Sequence, residues 1–452
     1  MHPALEAIKI TTAGTVFEND LFLVGGAVRD QELGLEVGND FDLVTRQSAI
    51  ELASLLFAKG LSSHAPVTYP RFGTAMLNIK GAAIELVTAR KESYESNSRK
   101  PTVTPASYLE DAQRRDFTIN TLMRGLHDDQ LRDPLGAGLR DLKGKILRTP
   151  VDPAATFSDD PLRMLRAIRF SAKLGFQYAP GLVKGIKTTK DRLRVISKER
   201  IRYEFLKMLV LPAATRCLKE LLEFKLLAIF APEFLPMVGC EQGRFHHLDV
   251  WDHTLLAIEN LQDKTDLPLV LAALFHDIGK PPTRKVDKNM QTRFFGHEVV
   301  GASIARKVLT RLKLPTRDID PVVILVRNHM RLGTAHQFSA AAARRLIRDL
   351  GEEVERLLWL VEADAASLRP GVRALDLAPI RKRIQDVQAV SPRSELESPL
   401  TGSEIMTLFA VPAGPEVGRL KNILVEAVLD GTITVGDKEA AFRYIKNVNL
   451  NL

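Results

Sequence analysis

Two aspartates flank a single phenylalanine at the head of an apolar run, Asp40-Phe41-Asp42-Leu43-Val44. Just upstream, a glycine pair, Gly25-Gly26, closes another apolar run, Leu21-Phe22-Leu23-Val24, and opens the helix-compatible stretch Ala27-Val28-Arg29-Asp30. A strand puts alternate side chains on one face, so Asp40 and Asp42 point the same way while Phe41 turns to the core. Two carboxylates on one face repel each other unless a cation lies between them. Hard oxygen ligands suit Mg²⁺, which takes one or two carboxylates plus substrate phosphates. Gly25 and Gly26 let the backbone approach phosphate oxygens and offer N–H donors. An isolated Asp-x-Asp is ordinarily a turn or a solvated strand end. The order strand, glycine pair, helix, acid-bearing strand is what points to metal-assisted phosphoryl or nucleotidyl transfer. No Gly-x-x-x-x-Gly-Lys-Ser/Thr occurs, so this is not a P-loop protein.

The 452 residues exceed one ordinary core, and several domains are expected. Up to about residue 148 short strand-like runs mix with helix: Leu21–Val24, Phe41–Val44, Ala75–Ile79 and Ala83–Val87 read as strands and Ala49–Lys59 as a helix. Lys91 to Glu110 is polar, carries Pro101 and Pro105, and reads as a long mobile loop. After about residue 150 nearly everything reads as helix. Asp160 fits an N-cap with Pro161 in the first helical position. The expected fold is therefore α+β. A small mixed sheet with helices makes up residues 1–148. An all-α part follows, divided into 149–240, 241–370 and a tail, 371–452, with Pro/Gly breaks at Leu400-Thr401-Gly402 and Pro412-Ala413-Gly414-Pro415.

Charge narrows the partner. The formal net charge is +8, from 63 basic and 55 acidic residues. Residues 163–207 alone hold thirteen Lys or Arg against Asp191, Glu199 and Glu204, which marks them as the expected nucleic-acid face. Cys217 and Cys240 cannot form a disulfide framework and lack metal-ligand spacing, so they read as core thiols in a reducing compartment. The N-terminus has no signal pattern and no apolar stretch reaches membrane-spanning length, so the expected location is the cytoplasm.

A second constellation lies in Arg114-Arg115-Asp116-Phe117-Thr118-Ile119-Asn120, read as the head of a helix that puts Asp116 and Asn120 on one face. An Arg facing an acidic site can clamp triphosphate oxygens, because its fork matches phosphate geometry.

Four stretches in order, Gly25-Gly26-Ala27-Val28-Arg29-Asp30, Asp40-Phe41-Asp42, Arg114 to Asn120 and Asp159-Asp160-Pro161-Leu162-Arg163-Met164-Leu165-Arg166, resemble the successive motifs of bacterial class II tRNA nucleotidyltransferases, the CCA-adding enzymes. The tail from Leu400 through Gly418 resembles the end of the same family. The resemblance implies a polymerase-β-like nucleotidyltransferase head in which Asp40 and Asp42 bind the catalytic Mg²⁺ ions, with Glu85 a candidate third carboxylate. It implies that Gly25, Gly26, Arg29, Arg115, Asp116, Asn120, Asp160, Arg163, Arg166 and Arg169 bind nucleotide. CTP, ATP and tRNA are the implied partners. Asp160 and Arg163 match the family's protein template. A carboxylate accepts hydrogen bonds and a guanidinium donates them, which fits the amine and acceptor edges of cytosine and adenine and opposes uracil and guanine. Asp159 stands where many relatives carry Glu, and no role is assigned to it. An intact segment between Lys91 and Leu109 argues against a CC-only enzyme. An A-adding enzyme or a poly(A) polymerase is the alternative reading, and an RNA-binding protein with an idle head is the alternative of another class.

Seven of the ten histidines lie between His246 and His336. His253, His276-Asp277 and Asp364 follow the ligand order of HD-type phosphohydrolases, and His297 and His329 could widen the site to two metals. Imidazoles and carboxylates together suit a divalent transition metal or Mg²⁺. This resemblance implies a second, phosphohydrolase activity. Leu274-Phe275-His276-Asp277-Ile278-Gly279-Lys280 reads as a helix ended by Gly279.

Overall fold

Strand β1 (Phe22–Val24) is a fully buried apolar triplet, and it ends where Gly25 takes φ +75°. That left-handed turn, which favours glycine, starts a short helix, Gly26–Glu32, directly off the strand. Strand β2 (Asp40–Thr45) buries Phe41, Leu43 and Val44 and leaves Asp40 exposed. Strands β3 (Val67–Tyr69), β4 (Thr74–Ile79) and β5 (Ala82–Thr88) follow. Further on come β6 (Arg90–Ser93), β7 (Thr102–Pro105), β8 (Met123–Gly125) and β9 (Leu131–Arg132). Seven of these form one sheet in the order β3-β4-β5-β2-β1-β8-β9. All neighbours are antiparallel except β2 and β5. A parallel pair needs a crossover, and here it contains the helix Ala49–Ala58, capped by the Ser48 side chain on the Glu51 N–H. The register sets Asp42 beside Glu85 and Asp40 beside Ala83.

In this computed structural model the described residues are 1–93, 102–243, 247–332, 338–369, 371, 376–393 and 396–448. They form two compact units, Met1–Pro232 and Glu233–Leu452. In the first unit, helices follow the sheet. Leu162–Leu174 buries its apolar face and packs against Lys198–Leu209 and Ala214–Glu223, and it stops at Gly175 in the left-handed region. The second unit is helical apart from one two-residue strand pair. Helix Leu267–Phe275 is buried from Leu269 to Phe275 and packs on Val250–Glu259, Thr316–Asn328 and Val354–Ala366. Near the end, Gly402–Phe409, Pro415–Asp430 and Lys438–Asn447 enclose a core of Leu420, Leu424, Val428 and Ile445.

Four expectations change. The stretch from Lys91 to Glu110 is not a loop in its described parts: β6 and β7 pair as a hairpin, and Ser107 and Glu110 form a reciprocal cap on helix Tyr108–Gln113. Three consecutive β-branched residues there (Thr102-Val103-Thr104) outweigh the polar composition. Residues 94–101 lie outside the described part. Arg114 and Arg115 end a helix rather than head one, and Thr118–Asn120 is a single 3₁₀ turn. The helix after Asp160 begins at Leu162 with Pro161 as its cap position, and the Asp160 carboxylate still accepts from the Leu162 N–H at 3.2 Å. Finally, the helix carrying His276 ends at Phe275. Gly279 sits in the following turn, and it is a glycine because a side chain there would overlap the His297 carbonyl.

Candidate functional site

Within the first unit a cavity of about 630 Å³ gathers Gly25, Gly26, Arg29, Asp40, Asp42, Arg115, Asp116, Asn120, Asp160, Arg163, Arg166 and Arg169 from turn, sheet and helix. Sequence-distant segments meet there because β1 and β2 are sheet neighbours and the Leu162–Leu174 helix meets the Arg115–Asn120 segment, the Phe170 ring lying edge-on to Phe117 and Arg166 pairing with Asp116. Glu85 is half-buried on β5 beside Asp42 and does not line this cavity.

Asp42 has its carboxyl pushed up to about 6, by burial first and then by Glu85 and Asp40; Arg115 opposes the shift. Unneutralised negative charge of this kind, on oxygen donors facing an open cavity, fits a divalent cation. Gly25 makes room: a Cβ there would lie 3.1 Å from Asp42 Oδ2. Asp116 is the opposite case. Burial pushes its carboxyl up, but Arg166 and the Asn120 amide bring it down to about 2. Arg166 donates Nη2 to Asp116 Oδ2 at 2.6 Å and Asn120 donates to Oδ1 at 3.0 Å. Arg29 donates to the Asn120 oxygen at 2.8 Å and lies over the Phe170 ring.

Three contributors were not singled out in the sequence. Asp111, almost fully buried, pairs with Arg114 at 2.6 Å and with Arg115 at 3.0 Å, which aims Arg115. Its position three and four residues before the two arginines was the available signal. Glu204 is buried against Arg169 at 2.6 Å and Arg166 at 3.6 Å. Its place four residues after Arg200, among only three acids in the basic run 163–207, was the available signal. Arg200 reaches Asp160 at 2.9 Å. Much of the basic run is thus paired with acids; Lys173, Arg200 and Lys207 also line the cavity.

In the second unit His253, His276 and Asp277 draw together, and so do Asp277, His297 and His329. Asp277 Oδ2 lies 3.1 Å from His276 Nε2 and 3.6 Å from His253 Nε2, while its Oδ1 lies 3.5 Å from His297 Nε2 and 3.8 Å from His329 Nε2. Asp364 Oδ1 meets His253 Nε2 at 2.9 Å. The other ring nitrogens face backbone carbonyls: His276 Nδ1 to Ala273 at 2.7 Å, His297 Nδ1 to Phe294 at 2.8 Å, His329 Nδ1 to Val326 at 2.7 Å. A carbonyl only accepts, so each Nδ1 carries a proton, and in the neutral ring each Nε2 turns a lone pair inward, the tautomer of a metal ligand. His276 Nε2 is buried without a hydrogen-bond partner. Burial opposes charge on His276, yet Asp277 and Asp364 draw its pKa up to about 10, so that without a metal a proton on the ring takes the cation's place. The cluster thus demands a cation, and these residues fit a metal.

Comparison with known proteins agrees with this geometry. Residues 21–148 match the poly A polymerase head domain, 175–237 the probable RNA and SrmB-binding site of polymerase A, and 244–367 the HD domain. The CC-adding tRNA nucleotidyltransferase of Thermus thermophilus is 31% identical over 94% of this chain and 93% of its own. The A-adding tRNA nucleotidyltransferase of Deinococcus radiodurans is 34% identical over 75% of this chain and 79% of its own. The chain belongs to the tRNA nucleotidyltransferase family. A multifunctional CCA protein of Azoarcus sp. is 31% identical, over 79% and 86% of the two chains. This nucleotidyltransferase also shares its fold with the Bacillus stearothermophilus CCA-adding enzyme solved with CTP, at TM-score 0.71 and 24% identity over 99% of this chain and 98% of that one. Among the described residues no helix is long and apolar enough to cross a membrane.

Proposed function

We propose that the protein adds CMP, CMP and AMP to the 3′ end of tRNA from CTP and ATP, without a nucleic-acid template. The observation that carries this is the convergence of Asp40, Asp42, Arg115, Asp160 and Arg163 on one cavity. Asp40 and Asp42 would hold Mg²⁺, which when bound supplies activation of the tRNA 3′-hydroxyl and neutralises the departing pyrophosphate. Arg115, held by Asp111, grips the triphosphate. Arg166, held by Asp116, lies across the same cavity with Asn120 at the ribose. Asp160 accepts from the base amine and Arg163 donates to the adjoining acceptor. UTP and GTP would set a carbonyl against a carboxylate, and buried unpaired groups make such a site selective. By the family resemblance, the intact segment between Lys91 and Leu109 supports the full reaction over CC addition alone. Free buried Cys217 and Cys240 fit a reducing cytoplasm.

The test is tRNA lacking its terminal triplet. With CTP and ATP it is extended by C, C and A, and Asp40→Ala abolishes incorporation while tRNA still binds. A protein that extends only tRNA already ending in CC would be A-adding.

The His253–Asp364 cluster supports a second activity, hydrolysis of phosphate esters with a divalent metal held by His253, His276, Asp277 and Asp364, and a second ion at His297 and His329. The orphaned His276 Nε2 favours it.

A further inference from the structure

Asp160, the carboxylate assigned to reading the base, is held at both of its oxygens. Oδ1 accepts from the Leu162 N–H at 3.2 Å, and Oδ2 accepts from Arg200 Nη2 at 2.9 Å. Arg163 is anchored too: Nη1 donates to the Thr156 carbonyl at 3.3 Å and Nη2 to the Arg114 carbonyl at 2.5 Å. Arg163 is fixed by backbone, which cannot swing away. Asp160 owes half of its fixation to one side chain from another helix, Lys198–Leu209. Asp160, Arg163 and Arg200 all line the nucleotide cavity.

From this we infer that Arg200 is a specificity-determining residue, positioning Asp160 so that a base amine is accepted and a base carbonyl refused. A carboxylate oxygen has two lone-pair directions. Arg200 takes one on Oδ2, and the Leu162 N–H holds Oδ1, so two anchors oppose rotation of the carboxylate plane. The remaining lone pair of Oδ2 is left to meet the exocyclic amine of cytosine or adenine. A uracil or guanine carbonyl in the same place meets a lone pair that both anchors hold toward it. With a single anchor the carboxylate turns, water enters beside it, and a water can bridge carboxylate to carbonyl, which removes the penalty on the wrong base. The inference rests on the assignment of Asp160 and Arg163 to base reading. Arg200 acts through Asp160.

The experiment measures kcat/KM for CTP and UTP on tRNA lacking its terminal triplet, in the full chain, for the wild type and for Arg200→Ala, Arg200→Met, Arg200→Lys and Asp160→Ala. Thermal melts accompany each. Loss of the guanidinium lowers the CTP-over-UTP ratio about tenfold or more. Arg200→Met, which keeps the stem and removes the donors, does the same, and Arg200→Lys recovers part of the ratio. A merely structural role would lower both kcat/KM values in proportion and leave the ratio unchanged, which overturns the inference. If Asp160→Ala collapses the ratio while Arg200→Ala and Arg200→Met preserve it, the positioning role falls and base reading by Asp160 stands. If Asp160→Ala also preserves it, both fall.

Discussion

Asp116 shows how one residue ties the site to stability. Its carboxyl is 8% exposed, accepts from Arg166 and Asn120, and titrates near 2 against an ordinary 3.8. A carboxylate with a depressed pKa stabilises the fold fully above its unfolded value, and the contribution disappears as pH falls through the folded value. The displacement corresponds to about 2 kcal/mol for the first unit, present at neutral pH and lost between about pH 4 and pH 2. Urea unfolding at pH 7, 4 and 3 should show the wild type losing stability more steeply over that window than Asp116→Asn. Equal acid limbs would show that Arg166 does not hold the carboxylate. Asp116 and Asn120 were paired from sequence for the wrong reason: not because they share a helix face, but because a 3₁₀ turn folds Asn120 back onto Asp116.

Close approach between elements is set by glycines whose reason lies in their neighbours. Helix Leu182–Thr189 crosses Pro153–Asp159 at Gly185, where a Cβ would fall 2.6 Å from Pro153 Cβ and 3.2 Å from the Ala154 nitrogen. Alanine is the better helix former by about 1 kcal/mol, but neither a proline ring nor a backbone nitrogen can yield cheaply, and overpacking costs about 1–3 kcal/mol. The clash should win: Gly185→Ala is expected to lower stability in urea titration, and a stabilised variant would show that the helices can slide apart. Strands β1, β2, β4 and β5 were legible within a residue or two because apolar runs bounded by turn residues carry their own signature. The β6–β7 hairpin was not, because its ladder stabilises a polar segment that has no apolar face to announce it.

For the molecule as a whole, the nucleotide cavity belongs to Met1–Pro232 and the histidine cluster to Glu233–Leu452. His276→Ala should abolish metal binding at the cluster, read by titration of the apoprotein with Mn²⁺, and any metal-dependent phosphoester hydrolysis, while CMP and AMP addition persists. Loss of both activities together would mean that the two chemistries share a site. The sequence by itself determined which side chains carry charge, which strand alternates them, and in what order the motifs follow, because alternation and helix spacing are local properties of a chain. Only the tertiary structure decided what holds them. Glu204 on Arg169, Asp111 on Arg115, Arg200 on Asp160 and the inward lone pairs on Asp277 depend on elements brought together by burial of apolar faces. Burial is non-directional, and no local pattern encodes which distant partner it delivers.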